Sequence, residues 1–123
     1  MTLTIQLVMF IIIYHWFTDF VLQTNEDAQA KSKDNRALLN HTIGYSVMWI
    51  IPMASLLGLT NAVAFAAITF VLHTATDYIT SRWNSALWYN KEVKRFFESV
   101  GYDQVLHYGQ LFLTYQLLSQ YGI

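Results

Sequence analysis

Cysteine is absent from the 123 residues, which excludes disulfides, thiolate zinc sites, iron–sulfur clusters and a cysteine nucleophile. Any metal must therefore be held by His, Asp, Glu or Gln. Charge is scarce as well: 12% of the residues are Asp, Glu, Lys or Arg, against about 25% in ordinary globular chains, while 54% are hydrophobic. That balance points to a membrane protein forming a single unit, residues 1–123. A formal net charge of -1 with seven Lys/Arg leaves no basic track for phosphates, so nucleic acid is not an expected partner.

What the chain does have is long apolar runs. Crossing about 30 Å of hydrocarbon takes about 20 apolar residues, and four stretches approach or reach that length: 3–22, 38–59, 62–80 and, nearer the lower limit, 105–121. The expected fold is all-α, a four-span transmembrane helical bundle of two hairpins in parallel orientation. The first span has no basic n-region and no small-residue cleavage site, so it is expected to remain in the mature protein. All seven Lys/Arg lie in or beside the polar stretches 24–37 and 82–101, whereas the turn at 58–61 is short and uncharged. Basic residues in short loops are retained in the cytoplasm. The expected location is the inner (cytoplasmic) membrane, with both long loops cytoplasmic and both termini outside. Within the second loop Val93, Phe96, Phe97 and Val100 recur at helical spacing, with Asn90 as N-cap and Gly101 as stop. This predicts a separate interfacial amphipathic helix at 91–100, preceded by Trp83, Trp88 and Tyr89 and facing anionic lipid.

Ionisable groups inside these runs are expensive, about 2.5–3.5 kcal/mol for a central Asp, so each needs a partner or a task. His15 and Asp19 lie four apart with Gln23 one turn on; His73 and Asp77 repeat the spacing; Asp103 and His107 reverse it; His41 stands early in the second span. One histidine falls in each span, and all seven His/Asp residues lie toward the cytoplasmic side. The segments 15–21 and 73–79 also echo one another as H-x-x-T-D-aromatic-aliphatic, as a parallel duplication with a site at its interface would.

His15, Asp19, His41, His73, Asp77, Asp103 and His107 are thus the candidate ligands of one or two divalent ions, zinc, manganese or iron. Asp19 or Asp77 is the candidate catalytic base if it is not itself a ligand, and Gln23 and Arg82 are the candidate substrate contacts. Each has a plainer use: a lone intramembrane His bonded to a neighbouring helix, Asp103 as a helix cap, His41 among headgroups, Arg82 paired with Asp77.

At these residues the chain resembles an uncharacterised family of small bacterial and phage membrane proteins, domain of unknown function 3307. The resemblance rests on HWFTDFVLQTN at 15–25, ALLNH ending at His41, HTATDYITSR at 73–82 and GYDQVLHY at 101–108. It implies His15, Asp19, Gln23, His41, His73, Asp77, Asp103 and His107 as the family's polar positions, and it carries no activity.

The function expected first is a membrane-embedded metal-dependent hydrolase acting on a phosphate-bearing lipid or amphiphile, although no H-E-x-x-H motif is present. The alternatives are metal-ion or proton transport by a homo-oligomer, and a scaffold or partner-binding protein whose polar cluster only locks its helices. A homo-oligomer is the expected assembly.

Overall fold

The computed structural model describes residues 3–123, and every regular element among them is helical. In chain order these are α1 (Ile5–Trp16), which runs without a break into a π-helical turn (Phe17–Val21), α2 (Asn25–Ala30), α3 (Asn35–Met48), α4 (Ile50–Leu57), α5 (Leu59–Tyr89) and α6 (Val93–Tyr121). The all-α expectation holds.

Local chemistry places the boundaries. Thr4 and Thr24 accept backbone N–H bonds through their side chains at the starts of α1 and α2, and Asp34 does so at the start of α3. Pro52, which has no N–H, sits in the first turn of α4, where none is needed. Gly58 turns the chain between α4 and α5 at φ 84°, a conformation that other residues resist. Lys91 takes φ 61° in the turn between α5 and α6.

Two boundaries differ from the sequence expectation. The separate helix at 91–100 does not exist: Glu92, rather than Asn90, stands at the N-cap, and α6 passes straight through Gly101 to Tyr121. Gly101 is solvent-facing, and nothing lies within 4 Å of where its Cβ would be, so its lack of a side chain neither permits nor prevents a contact. Likewise α5 continues from residue 80 to Tyr89, so most of the second polar stretch is helix. Among the described residues α5 alone is a single helix long and apolar enough to cross a membrane; α1 with its π turn, Ile5–Val21, is apolar but shorter. The second apolar stretch is divided at Trp49 into α3 and α4, and α6 begins with two charged turns, so helix length and composition alone do not establish four crossings.

The inward stripes of the helices fill two layers. One is apolar: Ile11, Tyr45, Trp49, Met53, Ala62, Phe65, Leu111 and Tyr115 form a single buried cluster. At this end Asn61 at the start of α5 bonds the backbone of Ile123, so the beginning of α5 lies beside the end of α6. Following each stripe by fours leads into the second layer: Ile11 to His15 and Asp19, Tyr45 back to His41, Thr69 to His73 and Asp77, Leu111 back to His107 and Asp103. All of these side chains are buried.

Candidate metal centre

The polar layer collects the seven His/Asp residues singled out by spacing, and it sorts them. Asp19, His41, His73 and Asp77 each offer one ligand atom within 4.8 Å of all the others. His41 Nε2 lies 2.8 Å from Asp19 Oδ1 and 3.4 Å from Asp77 Oδ2. His73 Nε2 lies 3.6 Å from Asp19 Oδ1 and 3.4 Å from Asp77 Oδ2. Four ligands about 2.0–2.1 Å from a tetrahedral ion stand about 3.3–3.4 Å from one another, so two of these four separations match the edges of such a polyhedron, one is slightly longer and one shorter.

Direction supports the same conclusion. Asp19 Oδ1, His41 Nε2 and both nitrogens of His73 are buried and make no hydrogen bond, although His41 and Asp19 are at hydrogen-bonding distance. Close approach without donor–acceptor alignment is what atoms aimed at a common third point produce. Orphaned buried polar atoms are costly and rare, about 1–3 kcal/mol each. A divalent ion coordinated by Asp19 Oδ1, His41 Nε2 and His73 Nε2 would satisfy those three together, leaving His73 Nδ1 outside the set, and two imidazoles with two carboxylates suit zinc, manganese or iron.

Asp77 also faces a second group. Its other oxygen, Oδ1, lies 3.0 Å from His107 Nε2, which is 3.3 Å from Asp103 Oδ2. These three again hold ligand atoms within 4.8 Å of one another. Here, however, the polar atoms have partners: His107 bonds Asp77, Gln104 Nε2 donates to Asp103 Oδ2, and Thr80 Oγ1 donates to Asp103 Oδ1. The group orients Asp77 from behind, as outer-shell partners of metal ligands do. Asp103 is not spent on capping, since α6 begins ten residues earlier, at Val93.

His15 is set apart. Its Nδ1 is 2.7 Å from the Tyr45 hydroxyl and its Nε2 is 2.7 Å from Gln104 Oε1, so both ring nitrogens are engaged. Because Gln104 turns its amide nitrogen to Asp103, its oxygen faces His15, which makes Nε2 the donor and Nδ1 the acceptor of the Tyr45 proton. His15 stands 3.5 Å from Asp19 Oδ2, beside the centre rather than in it. The ring of His73 stacks between Tyr45, at 4.0 Å, and His107, at 4.1 Å, which holds its plane.

The local fold around Asp19 is unusual. Leu22 N–H reaches back five residues to the Phe17 carbonyl, the π-helical bond, and the wide turn buries Thr18 and Asp19 side by side. Such turns recur at functional sites because they re-aim a side chain within an otherwise regular helix.

The two expected substrate contacts lie differently. Gln23 lines a small cleft with Asp27, Asn40 and His41, and its buried Oε1 has no partner. Arg82 does not reach Asp77: it donates to the Tyr78 carbonyl and to Asn35 Oδ1, with its guanidinium over the Tyr78 ring. The cation on Asp77 is Lys31, with Nζ 3.3 Å from Oδ2. Spacing gives no hint of this, because Lys31 comes from the turn after α2. Asp19 and Asp77 each offer a ligand atom to the convergent set, which favours the ligand role over that of a base.

No curated protein and no solved structure matches the chain. The motifs that supply this layer run in order through nearly the whole molecule, and the family profile that matches covers residues 7–123: the chain belongs to the family described as protein of unknown function DUF3307.

Proposed function

We propose that this is an integral protein of the cytoplasmic membrane that binds a divalent ion through Asp19, His41, His73 and Asp77 and uses it to hydrolyse a phosphate-bearing amphiphile. The observation that carries the metal reading is four buried ligand residues whose atoms lie within 4.8 Å of one another, with those of Asp19, His41 and His73 unbonded.

The membrane reading is supported by an inverted surface. One of the two buried layers is polar, while outward faces are apolar on every long helix: Ile5 and Ile13 on α1, Ile43 and Val47 on α3, Val71 and Ile79 on α5, Leu113 and Leu117 on α6. Contiguous apolar surface of this extent marks contact with lipid or protein. In four crossings, α3 with α4 would serve as one span, and the charged ends of α5 and α6 would project beyond the hydrocarbon. Asp77 stands about 27 Å along α5 from Leu59, at 1.5 Å per residue, which is consistent with a centre toward the cytoplasmic face of a core about 30 Å thick in the proposed orientation.

In the hydrolytic reading the ion supplies Lewis acidity, activating water and neutralising phosphate charge. The chain's own contributions are orientation of Asp77 by His107, of His15 by Tyr45 and Gln104, and exclusion of bulk water by burial. A second reading follows from the ligand count: four protein ligands complete a tetrahedral zinc site, and closed sites are structural. In that case the ion locks α1, α3 and α5 together in a scaffold. Transport is less well supported, because the apolar layer with Trp49, Phe65 and Tyr115 lies across any path through the bundle.

The test is elemental analysis of detergent-purified protein beside a folded His73→Ala variant. About one zinc, manganese or iron per chain, lost in the variant, is the expected result. No uptake by either protein after reloading with each ion would overturn the metal centre. Turnover of phosphate-ester amphiphiles by the loaded protein separates hydrolase from scaffold.

A further inference from the structure

Beyond Asp77 the polar stripe of α5 continues outward through Ser81 to Asn84 and Ser85, and it forms one wall of a cleft of about 590 Å³. Gln29, Lys31 and Ser32 from the end of α2 form another wall, and Trp88, Phe96 and Phe97 from the ends of α5 and α6 form the third. The cleft is therefore polar on the side nearest the metal centre and aromatic on the side farther along α5. Two of its polar residues are unsatisfied: Ser81 Oγ and Asn84 Oδ1 are buried and have no hydrogen-bond partner. Lys31 joins the cleft to the centre, since it lines the one while its ammonium lies 3.3 Å from Asp77 Oδ2 in the other.

We infer that this cleft binds the phosphate-bearing head of a single amphiphile, with Lys31, Ser81 and Asn84 around the anion and Trp88, Phe96 and Phe97 against its apolar portion. The inference deepens the hydrolase reading above by giving its substrate a seat beside the proposed ion, and it replaces Gln23 and Arg82 as the residues that hold it. An ammonium, a hydroxyl and an amide form a donor set for an anion once the amide presents its nitrogen, and the orientation of an Asn side chain follows its partners. An aromatic wall next to that set suits a molecule with an acyl or prenyl chain and gives little to a free phosphate ion.

Lys31 also couples the two sites. A divalent ion on Asp77 Oδ2 and an ammonium on the same oxygen repel one another, so loading the centre releases Lys31 from the carboxylate and turns it to the cleft. Anion binding is then stronger in the metal-loaded protein, and by linkage the anion strengthens ion binding by the same factor.

The experiment measures binding of dihexanoyl phosphatidic acid to the detergent-solubilised protein, with and without its ion, beside inorganic phosphate and the variants Lys31→Met, Lys31→Arg and Phe97→Ala. Lys31 and Phe97 are partly or largely exposed, so both can be replaced without opening the core. The expected result is about tenfold weaker binding in Lys31→Met, substantial rescue in Lys31→Arg, a severalfold loss in Phe97→Ala, and little affinity for inorganic phosphate. Equal binding by wild type and Lys31→Met, with ion content unchanged, would overturn the cleft and leave the metal centre standing. Phosphate binding as tightly as the lipid, with Phe97→Ala indifferent, would overturn the amphiphile. A protein that takes up no ion yet binds the lipid through Lys31 would overturn the metal centre and leave the cleft; one that does neither would overturn both.

Discussion

The two halves of this bundle are built from the same helices with the same four-residue stripe and nearly the same burial, yet they differ in what fills the stripe. In one half Ile11, Met53, Phe65 and Leu111 meet side by side and are satisfied by contact alone, and of Trp49 only the indole N–H is left unbonded. In the other, imidazoles and carboxylates are equally inaccessible and several of their atoms have no partner. Dispersion contacts hold the first half together whatever is bound, whereas the second is incomplete as protein alone. Burial therefore does not distinguish a core from a site here; the gathering of several unbonded ligand atoms within a few ångströms does.

That contrast can be broken most severely at Asp77, which approaches His41, His73, His107 and Lys31. Asp77→Asn should abolish stoichiometric ion binding, measured by elemental analysis, while the circular dichroism spectrum stays helical. Persistence of the full ion content would show that the two halves do not differ as described. Phe65→Ala tests the other side: it should lower stability by about 3–5 kcal/mol, the usual range for a buried Phe, with ion content per folded chain unchanged. Thermal unfolding in detergent reads the first effect, and an ion titration reads the second.

Smaller changes sharpen the boundary. His15→Ala removes a neighbour of the centre rather than one of the converging atoms, so ion affinity should fall by about 10–100-fold, the range for outer-shell partners of a metal ligand. Complete loss would instead make His15 a ligand. Tyr45 belongs to both halves, with its ring in the apolar cluster and its hydroxyl on His15. Tyr45→Phe keeps the ring and should cost about 1–3 kcal/mol of stability, because it leaves the buried Nδ1 of His15 without its donor. Only a slight weakening of the ion should accompany it, read in the same titration.

Much of the polar half is legible in the sequence, because a helix converts spacing into direction: residues four apart share a face, and three such pairs plus His41 predict convergence. The ranking within the set is not legible. His15 and His73 occupy matching places in the repeated H-x-x-T-D motif, and only packing decides that Tyr45 and Gln104 engage one while the other keeps both nitrogens unbonded. Lys31 was hidden for a similar reason, since a turn residue acquires its neighbours from tertiary structure and not from periodicity. The expected stop at Gly101 fails because a single glycine weakens a helix by about 1 kcal/mol without ending it, and a long contact with α5 outweighs that. The expectation of four crossings rests on apolar composition, which continues through the break at Trp49 that the backbone makes, and only α5 is by itself long and apolar enough among the described residues.

The π-helical turn at Phe17–Val21 has one more consequence. Were its backbone to trade the five-residue bond from Leu22 to Phe17 for the ordinary four-residue pattern, Asp19 would rotate away from the imidazoles opposite it. Helical winding and ligand geometry are thus one coordinate at this position. The amide of Leu22 becomes a reporter: its exchange with deuterated solvent should slow when an ion is held and quicken when it leaves, so occupancy of the centre can be followed from the main chain without observing the ion itself.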